Sequence, residues 1–260
     1  MASGGATDIS SFGTGGGMKS AEILNVRIDA VTTAQTLDLI SDFMQEPRVH
    51  QICTANPEFV MKAQGDAAFL RVLDSADLNL PDGIGLVLAA RFLGSPVPER
   101  VPGSTLTYQL AELCAEKGWR LFLLGAAPTV ADQAAAILQA RYPQLNVVGT
   151  YSGSPALAEN DQIVARINAS RADILGVAYG APKQDKWIAR NRETLETVRV
   201  AIGIGGSLDF IAGISIRAPE WVQKLGLEWL HRLIKEPWRW RRMLALPRFV
   251  WAVILQRVRN

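Results

Sequence analysis

Residues 119–150, WRLFLLGAAPTVADQAAAILQARYPQLNVVGT, decide the fold class of this chain. The segment 119–124 is a strongly apolar run that enters a glycine, and 145–150 is a second strand-like run. The alanine-rich stretch 128–142 between them has the length and composition of a helix. A strand, a helix and a second strand in this order predict a unit of a parallel sheet.

The same alternation of strands and helices extends over most of the chain. Further strands are predicted at 23–28, 49–54, 77–80, 174–177 and 198–204, and helices at 32–44, 57–73, 85–93 (a buried one), 104–117, 158–169 and 184–195. Pro57 stands at the start of one helix and Gly118 at the end of another, where each residue is favoured. The pattern predicts an α/β fold with a mostly parallel, Rossmann-like sheet flanked by helices on both faces.

Composition excludes several classes of protein. With 260 residues, 48% of them hydrophobic, the chain buries a real core and is not disordered. The only cysteines, Cys53 and Cys114, lack metal-ligand spacing and read as reduced core thiols of a cytosolic protein. With His50 and His231 as the only histidines, a Cys–His nucleophile or a His-rich metal site is hard to build.

The C-terminal part of the chain differs in charge from the rest. From residue 216 onward there are ten Lys or Arg and three Glu, with five of the seven Trp, whereas the remainder has seventeen Lys or Arg and twenty-two Asp or Glu. Helices are predicted at 220–230, 232–246 and 249–257, punctuated by Pro237 and Pro247. We therefore divide the chain into a flexible leader (1–20), a catalytic core (21–215) and a helical appendage (216–260).

The appendage favours a membrane surface as its partner. Basic residues and tryptophans on amphipathic helices suit an anionic bilayer, and no stretch of the chain approaches the length of a membrane span. We therefore expect a C-terminal helical membrane-associating appendage. Nucleic acid binding, for which no motif is present, and a solvated helical face docked on the core are the alternatives.

Five polar segments each stand where an apolar run ends. They are T-A-N-P-E at 54–58, P-D-G at 81–83, E-R-V-P-G-S at 99–104, G-A-P-K-Q-D at 180–185 and G-I-G-G-S at 203–207. In an open α/β sheet, ligands bind at the ends of the strands. The segments are therefore candidates for one binding site.

Within the polar segments, three side chains suit chemistry on a sugar. Asp82 follows an apolar strand and is a candidate general base, with the capping of a helix as the alternative. Thr54 and Asn56 offer a hydroxyl and an amide that match the hydroxyl pattern of a sugar. Capping of the helix that begins at Pro57 is the alternative for this pair.

Other residues of the segments suit a diphosphate. Arg100, in a proline-flanked loop, is placed to bind phosphate or carboxylate, unless it is an ordinary surface arginine. Lys183 and Gln184 follow Gly180 and Pro182 and open a helix, whose first N–H groups and positive end suit a diphosphate or uridine.

Glycines at two further strand ends complete the candidate binding set. Gly205 and Gly206 repeat the arrangement at the next strand end, and Gly125 ends the run at 119–124. The G-I-G-G stretch at 203–206 resembles a dinucleotide fingerprint only weakly, because no acidic residue ends a following strand. An NAD(P)-dependent or nucleotide-sugar-binding oxidoreductase or epimerase remains the alternative function.

No metal or cofactor is predicted. The chain has no Asp-x-Asp pair, which many sugar-nucleotide enzymes use to hold a divalent metal on the diphosphate. Arginines and helix N-termini are then left to balance the charge of the diphosphate.

Taken together and in order, these segments resemble the WecG/TagA/CpsF glycosyltransferases, bacterial enzymes that extend polyprenyl-linked surface polysaccharides. The resemblance runs from about 21 to 242. It also includes G-G-S-L-D-F-I-A-G at 205–213, R-A-P at 217–219 and E-P-W-R-W-R-R at 236–242. Single segments are weak signals, whereas the ordered set is specific.

The resemblance implies transfer of a sugar from a UDP-sugar to a lipid-diphosphate-linked sugar, with inversion and without a metal. By position, Asp82 is similar to the proposed catalytic base of the family. Thr54 and Gln184 are similar to its substrate-contacting residues, and Arg100 to the residue that stabilises the leaving diphosphate.

The resemblance extends into the appendage. Arg232, Arg239 and Arg242 match arginines expected to close over the active site, on one stripe if a helix runs past Pro237. Two residues depart from the family pattern: Asp185 stands where the family often has Glu, and Leu208 where it often has Phe.

The implied partners are a UDP-sugar donor, a polyprenyl-diphosphate-sugar acceptor and an anionic membrane surface, with no nucleic acid. The implied location is cytoplasmic, peripheral on the inner face of the bacterial plasma membrane, in synthesis of an exopolysaccharide or a cell-wall polymer. Self-association into a homo-oligomer is a further expectation. A non-catalytic adaptor that uses only the appendage is the third hypothesis.

Overall fold

A computed structural model describes residues 18–216, 218–219, 222, 228–235, 237 and 240–259. The strands are β1 (Ser20–Ile23), β2 (Val26–Asp29), β3 (His50–Ala55), β4 (Leu78–Pro81), β5 (Arg120–Gly125), β6 (Asn146–Tyr151), β7 (Ile174–Ala178) and β8 (Val200–Gly203). The helices described are α1 (Thr33–Phe43), α2 (Pro57–Gln64), α3 (Ala67–Ser75), α4 (Ile84–Leu93), α5 (Gly103–Lys117), α6 (Val130–Arg141), α7 (Leu157–Ser170), α8 (Lys183–Asn191), α9 (Ser207–Ile211), α10 (Glu228–Lys235), α11 (Trp240–Met243) and α12 (Ala245–Arg259). Of the predicted leader at 1–20, residues 1–17 lie outside the described residues, and Ser20 already belongs to β1.

Six strands form one parallel sheet in the order β4-β3-β8-β7-β5-β6. Each neighbouring pair is parallel, so the carboxyl ends of all six strands lie at the same edge. The sheet and its flanking helices confirm the predicted α/β fold. This arrangement brings the strand-ending polar segments to one side of the molecule.

Helices cover both faces of the sheet because its strands are apolar on both faces. On β5, Leu121 and Leu123 pack into one core with α5 and α6. Phe122 and Leu124 point to the other face and pack with α7 and α8. Each such fully buried side chain contributes about 1.5–3 kcal/mol of transfer free energy.

Two helix ends follow directly from their residues. The Thr32 hydroxyl accepts the backbone N–H of Gln35 at 3.1 Å, and the Gln35 side chain accepts the N–H of Thr32 at 2.9 Å. This reciprocal pair is a capping box, which makes Thr32 the N-cap of α1. Gly118 ends α5 with φ of 70°, the left-handed conformation that glycine adopts without cost.

The predicted strand at 23–28 is instead a hairpin. Strands β1 and β2 pair antiparallel across a turn at Leu24 and Asn25, whose φ values are 50° and 60°. Two consecutive left-handed residues define the tight turn whose twist matches a hairpin. A single extended strand through these residues is therefore wrong.

The predicted helix at 57–73 is two helices. Helix α2 ends at Gly65, and the Asp66 carboxylate begins α3 by accepting the N–H of Phe69 at 3.1 Å. Gly65 therefore ends one helix and Asp66, as an N-cap, begins the next. The prediction missed this break.

Helix α4 is not the buried helix that its composition predicted. One side packs into the core through Leu86, Ala89 and Ala90, but Leu88 and Phe92 are 58% and 50% exposed. The helix therefore presents an apolar pair, one turn apart, on the molecular surface.

The C-terminal helices differ in their bounds from those predicted. Helix α10 ends at Lys235, before Pro237, and α11 begins at Trp240, so Arg232 and Arg242 lie on different helices. A single arginine stripe requires one helix through Pro237, whereas α10 and α11 are separate helices, and proline cannot donate the backbone hydrogen bond that would continue α10. Pro247 lies in the first turn of α12, where that missing donor carries no cost.

The last helix is anchored on the core. Phe249 and Val253 of α12 are buried in the same apolar cluster as residues of α2 and α4. The Gln256 side chain accepts the N–H of Leu24 at 2.9 Å and donates to the Glu22 carbonyl at 3.1 Å. None of the helices in the described part of the chain is long and apolar enough to cross a bilayer.

Candidate active site

Four of the polar segments begin at the carboxyl ends of neighbouring parallel strands. Asn56 follows β3, Asp82 follows β4, Gly180 comes shortly after β7, and Gly205 shortly after β8. The order of these strands, β4-β3-β8-β7, places the segments side by side. Four stretches that are far apart in the sequence thus form one edge of the sheet.

The fifth segment joins the same edge through its backbone and a glycine. The Val101 N–H donates to the Pro81 carbonyl at 2.9 Å, which holds the loop of Arg100 beside the end of β4. A Cβ at Gly103 would lie 3.1 Å from Cγ2 of Thr54, so the start of α5 packs directly against β3.

Asp82 lies half-buried between the ends of β3 and β4. Its N–H donates to the Ala55 carbonyl at 2.7 Å, which continues the backbone hydrogen bonding between β3 and β4 by one residue. Gly83, and not Asp82, occupies the N-cap position of α4. A Cβ at Gly85 would come within 2.8 Å of the Pro57 ring, which brings α4 close to the start of α2.

Thr54 and Asn56 have different roles at the end of β3. The Asn56 side-chain oxygen accepts the N–H of Phe59 at 3.1 Å and caps α2, as the structural alternative predicted. The buried Thr54 hydroxyl does not cap that helix. It donates to the Gly203 carbonyl at 2.9 Å and so ties β3 to β8.

Gln184 joins the segments that follow β7 and β8. Its side-chain oxygen accepts the N–H groups of Gly180 and Gly205, each at 3.0 Å. Only 1% of the residue is exposed, whereas Lys183, next to it at the start of α8, is exposed, and Pro182, the N-cap, is partly buried. The Gln184 amide therefore lies beneath the surface of the candidate site and holds the two glycine loops together.

Close backbone approach explains the glycine at the end of β5. Gly125 has φ of 98°, and a Cβ there would lie 2.9 Å from the carbonyl carbon of Ala178. Gly206 is the N-cap of the short helix α9 beside Gly205, and it is partly buried.

Arg100 is paired across the molecule. Its guanidinium donates to the Glu228 carboxylate in α10, and the two side chains are 19% and 24% exposed. Sequence reasoning missed Glu228, because no local signal connects residues 128 positions apart. The side chains of Arg232 and Arg242, and the whole of Arg239, lie outside the described residues.

A buried carboxyl group underlies the site. Asp185, fully buried in the first turn of α8, has its pKa raised to about 7 by burial, against the opposing effects of the Cys53 thiol and the Gln184 amide. The sequence marked Asp185 only as a departure from the family pattern.

A second charged cluster lies at the opposite edge of the sheet. Asp77 accepts from Arg48 at 2.6 Å, from Arg192 at 2.8 Å and from the Gln51 N–H at 2.8 Å. Burial alone would raise the pKa of Asp77, but these donors outweigh it and lower the pKa. Asp77 thus ties the residues before β4 to β3 and to the end of α8, so this cluster stabilises the fold.

The described residues contain no group of three or more His, Cys, Asp or Glu side chains arranged to hold a metal ion. A cavity of about 460 Å³ lies beside the site, between α5, α6 and α9. Ser104 and Phe210, both in segments that carry the family resemblance, border this cavity together with Tyr108 and Arg141.

The chain is an α/β protein in which Asp82, the loop of Arg100 and the start of α8 lie at the carboxyl edge of a parallel sheet, the edge at which such folds bind ligands. The chain matches the model of the Glycosyl transferase WecG/TagA/CpsF family over residues 21–260. It therefore belongs to this family of glycosyltransferases, as the sequence resemblance predicted.

Three relatives share most of their length with this chain. The N-acetylglucosaminyldiphosphoundecaprenol N-acetyl-beta-D-mannosaminyltransferase of Bacillus spizizenii strain W23 is 34% identical, covering 87% of each chain. The protein of the same name from Bacillus subtilis strain 168 is 34% identical over 82% of this chain and 84% of its own. That of Staphylococcus aureus strain MRSA252 is 32% identical over 89% and 91%.

Proposed function

We propose that this chain transfers a hexose or N-acetylhexosamine-type sugar from a UDP-sugar to a polyprenyl-diphosphate-linked saccharide, with inversion and without a metal. The product belongs to a bacterial cell-wall polymer or exopolysaccharide. The observation that carries the proposal is the convergence of Asp82, Thr54, Arg100 and the Gln184 segment at one edge of the sheet.

The relatives support a particular acceptor. Their shared name specifies N-acetylglucosaminyl-diphosphoundecaprenol as the acceptor and N-acetylmannosamine as the transferred sugar. We propose the same acceptor here. UDP-N-acetylmannosamine is the first donor to test, because the residues alone do not specify the donor sugar.

In the proposed reaction, the Asp82 carboxylate takes the proton of the acceptor hydroxyl. The hydroxyl oxygen forms a bond to the anomeric carbon from the face opposite the leaving group, which inverts the configuration. The bond between that carbon and the diphosphate oxygen breaks, and its electron pair leaves with UDP. General-base catalysis of this kind contributes about 10²–10⁴-fold in rate.

Charge stabilisation completes the proposed mechanism. Negative charge grows on the diphosphate as the bond breaks, and Arg100 lies in the loop beside Asp82 to neutralise it. Lys183 and the first N–H groups of α8 add positive potential near Gly180. Arg232, Arg239 and Arg242 are proposed to close over the bound donor.

The outer surface of the C-terminal helices supports association with the inner face of the plasma membrane. On α12, Val250, Trp251 and Val258 are 56%, 64% and 78% exposed, although the opposite side of the helix is buried. Helix α12 packs against α4, whose Leu88 and Phe92 are also exposed. Arg257 and Arg259 add cations in the last turn of α12, and together these residues form the proposed bilayer-facing surface.

The proposed function is tested by incubating the full chain with a panel of UDP-sugars and synthetic N-acetylglucosaminyl-diphosphopolyprenol, with and without EDTA. UDP release that requires the acceptor and survives EDTA supports the proposal, and NMR of the product gives the anomeric configuration. Retention of configuration in the product would contradict the inverting mechanism. Loss of activity in EDTA would contradict the metal-independent mechanism. No release with any donor, together with binding of NAD(P), would favour the oxidoreductase alternative.

A further inference from the structure

The buried carboxyl group of Asp185 has no part in the proposed chemistry, although it lies directly beneath the site. It is the third residue of α8, and none of its surface is exposed. Neither of its carboxyl oxygens makes a hydrogen bond of ordinary geometry to a described residue, although the Cys53 thiol and the Gln184 amide are close enough to oppose the rise in its pKa. A buried polar group of this kind requires an explanation.

Close contacts with β3 and β8 fix the position of Asp185. The Gln51 side-chain amide donates to the Asp185 backbone carbonyl at 2.9 Å, which fixes the first turn of α8 against β3. A Cβ on Gly203 would lie 2.8 Å from Oδ1 of Asp185 and 2.4 Å from Nε2 of Gln184. Glycine at the end of β8 is therefore what makes room for both side chains.

The two ends of the Gln184 amide face different groups. Its oxygen is occupied by the N–H groups of Gly180 and Gly205. Its nitrogen is directed toward Gly203, beside the Asp185 carboxyl. A rotation of the amide by half a turn would place NH₂ against two backbone donors, which is electrostatically unfavourable.

We propose that Asp185 is a positioning residue, whose carboxyl group receives the Gln184 side-chain nitrogen and so keeps the Gln184 oxygen on Gly180 and Gly205. Burial favours the neutral acid, whose carbonyl oxygen accepts a hydrogen bond without placing a full charge in the core. The inference rests on the proposed function only in assigning the two glycine loops to the donor site.

The test compares wild type, Gln184→Ala, Asp185→Ala and the double variant, with Asp185→Asn as the conservative replacement. Asn191→Ala is the matched control, because Asn191 is equally buried on α8 and its amide donates to the Trp187 carbonyl at 2.8 Å, away from the two loops. Hydrogen exchange at the amides of Gly180 and Gly205 is the first measurement. The KM for the UDP-sugar, separately from kcat, is the second.

We expect Asp185→Ala to accelerate exchange at both glycine amides by at least about tenfold, as Gln184→Ala does, and the double variant to add nothing further. Asp185→Asn retains protection, and Asn191→Ala stays within about twofold of wild type at these amides. In an active enzyme, Asp185→Ala raises the donor KM by a similar factor and changes kcat less.

Unchanged protection in Asp185→Ala, or equal acceleration in Asn191→Ala, would overturn the proposal and leave Asp185 as a packing residue. If Asp185→Ala does not fold, Asp185→Leu replaces it, because leucine has a similar shape and no oxygen that could accept from Gln184. The exchange measurement needs no donor. Failure of the proposed function would therefore appear only in the UDP-release assay. Failure of this inference would appear as unchanged hydrogen exchange at the amides of Gly180 and Gly205.

Discussion

The guanidinium of Arg100 donates to the carboxylate of Glu228, and this ion pair joins the loop between α4 and α5 to helix α10. Arg100 belongs to the segment proposed to hold the leaving diphosphate, whereas Glu228 belongs to the appendage. The pair therefore connects the position of the appendage to the arginine on which the proposed chemistry depends.

Breaking this pair is expected to affect activity more than stability. Glu228→Gln removes the charge and leaves the shape, so Arg100 loses the partner that orients it, and we expect kcat to fall about tenfold. The free energy of unfolding should change by about 1 kcal/mol or less, because the pair is partly solvated. The exposed Glu116→Gln on α5 is the matched control for both measurements. Wild-type kcat in Glu228→Gln would show that the pair has no part in the reaction.

The buried acid predicts a pH-dependent stability. The ordinary pKa of aspartate is 3.8, and that of Asp185 is raised to about 7 by burial, with Cys53, Gln184 and Lys62 opposing the rise. Between these values the folded state binds more protons than the unfolded state, so stability falls as pH rises and levels off above pH 7. Asp185→Asn lacks this dependence.

We therefore expect the stability of Asp185→Asn relative to wild type to increase by roughly 3 kcal/mol between pH 5 and pH 8. Urea denaturation of both proteins across that range provides the measurement. A difference that is constant with pH would contradict a raised pKa for this group.

The two sides of α12 predict two separable effects. Phe249 is 3% exposed and Trp251 is 64% exposed on the same helix. Phe249→Ala is expected to destabilise the fold by about 3 kcal/mol through the cavity it leaves. Trp251→Ala should leave stability within about 0.5 kcal/mol and weaken co-sedimentation with phosphatidylglycerol vesicles. Unaltered vesicle binding by Trp251→Ala would argue against the proposed bilayer-facing surface.

The sheet could be predicted because its signals are local. Apolar runs such as 119–124 end at glycines and alternate with helical stretches, and parallel strands then bring the polar segments to one edge. Local signals also existed for the break at Gly65 and Asp66, which sequence reasoning missed. The hairpin turn was harder to predict, because Leu24 has a positive φ and leucine rarely adopts that conformation.

The interior of the site could not be predicted in the same way. That Gln184 is buried, and that its oxygen joins the loops after β7 and β8, depends on the pairing of strands distant in the sequence. The partner of Arg100 is likewise set by how α10 lies on the core. Residue types and spacing identify candidate groups, whereas only tertiary packing decides which of them face each other.

The most direct test of the proposed mechanism is acceptor-dependent UDP release, with EDTA present, by wild type, Asp82→Asn and Asp38→Asn. Asp38 is an exposed aspartate on α1 and serves as the matched control. We expect Asp82→Asn to lose at least about a hundredfold in kcat, and Asp38→Asn to match wild type. Full activity in Asp82→Asn would contradict the assignment of Asp82 as the base that activates the acceptor.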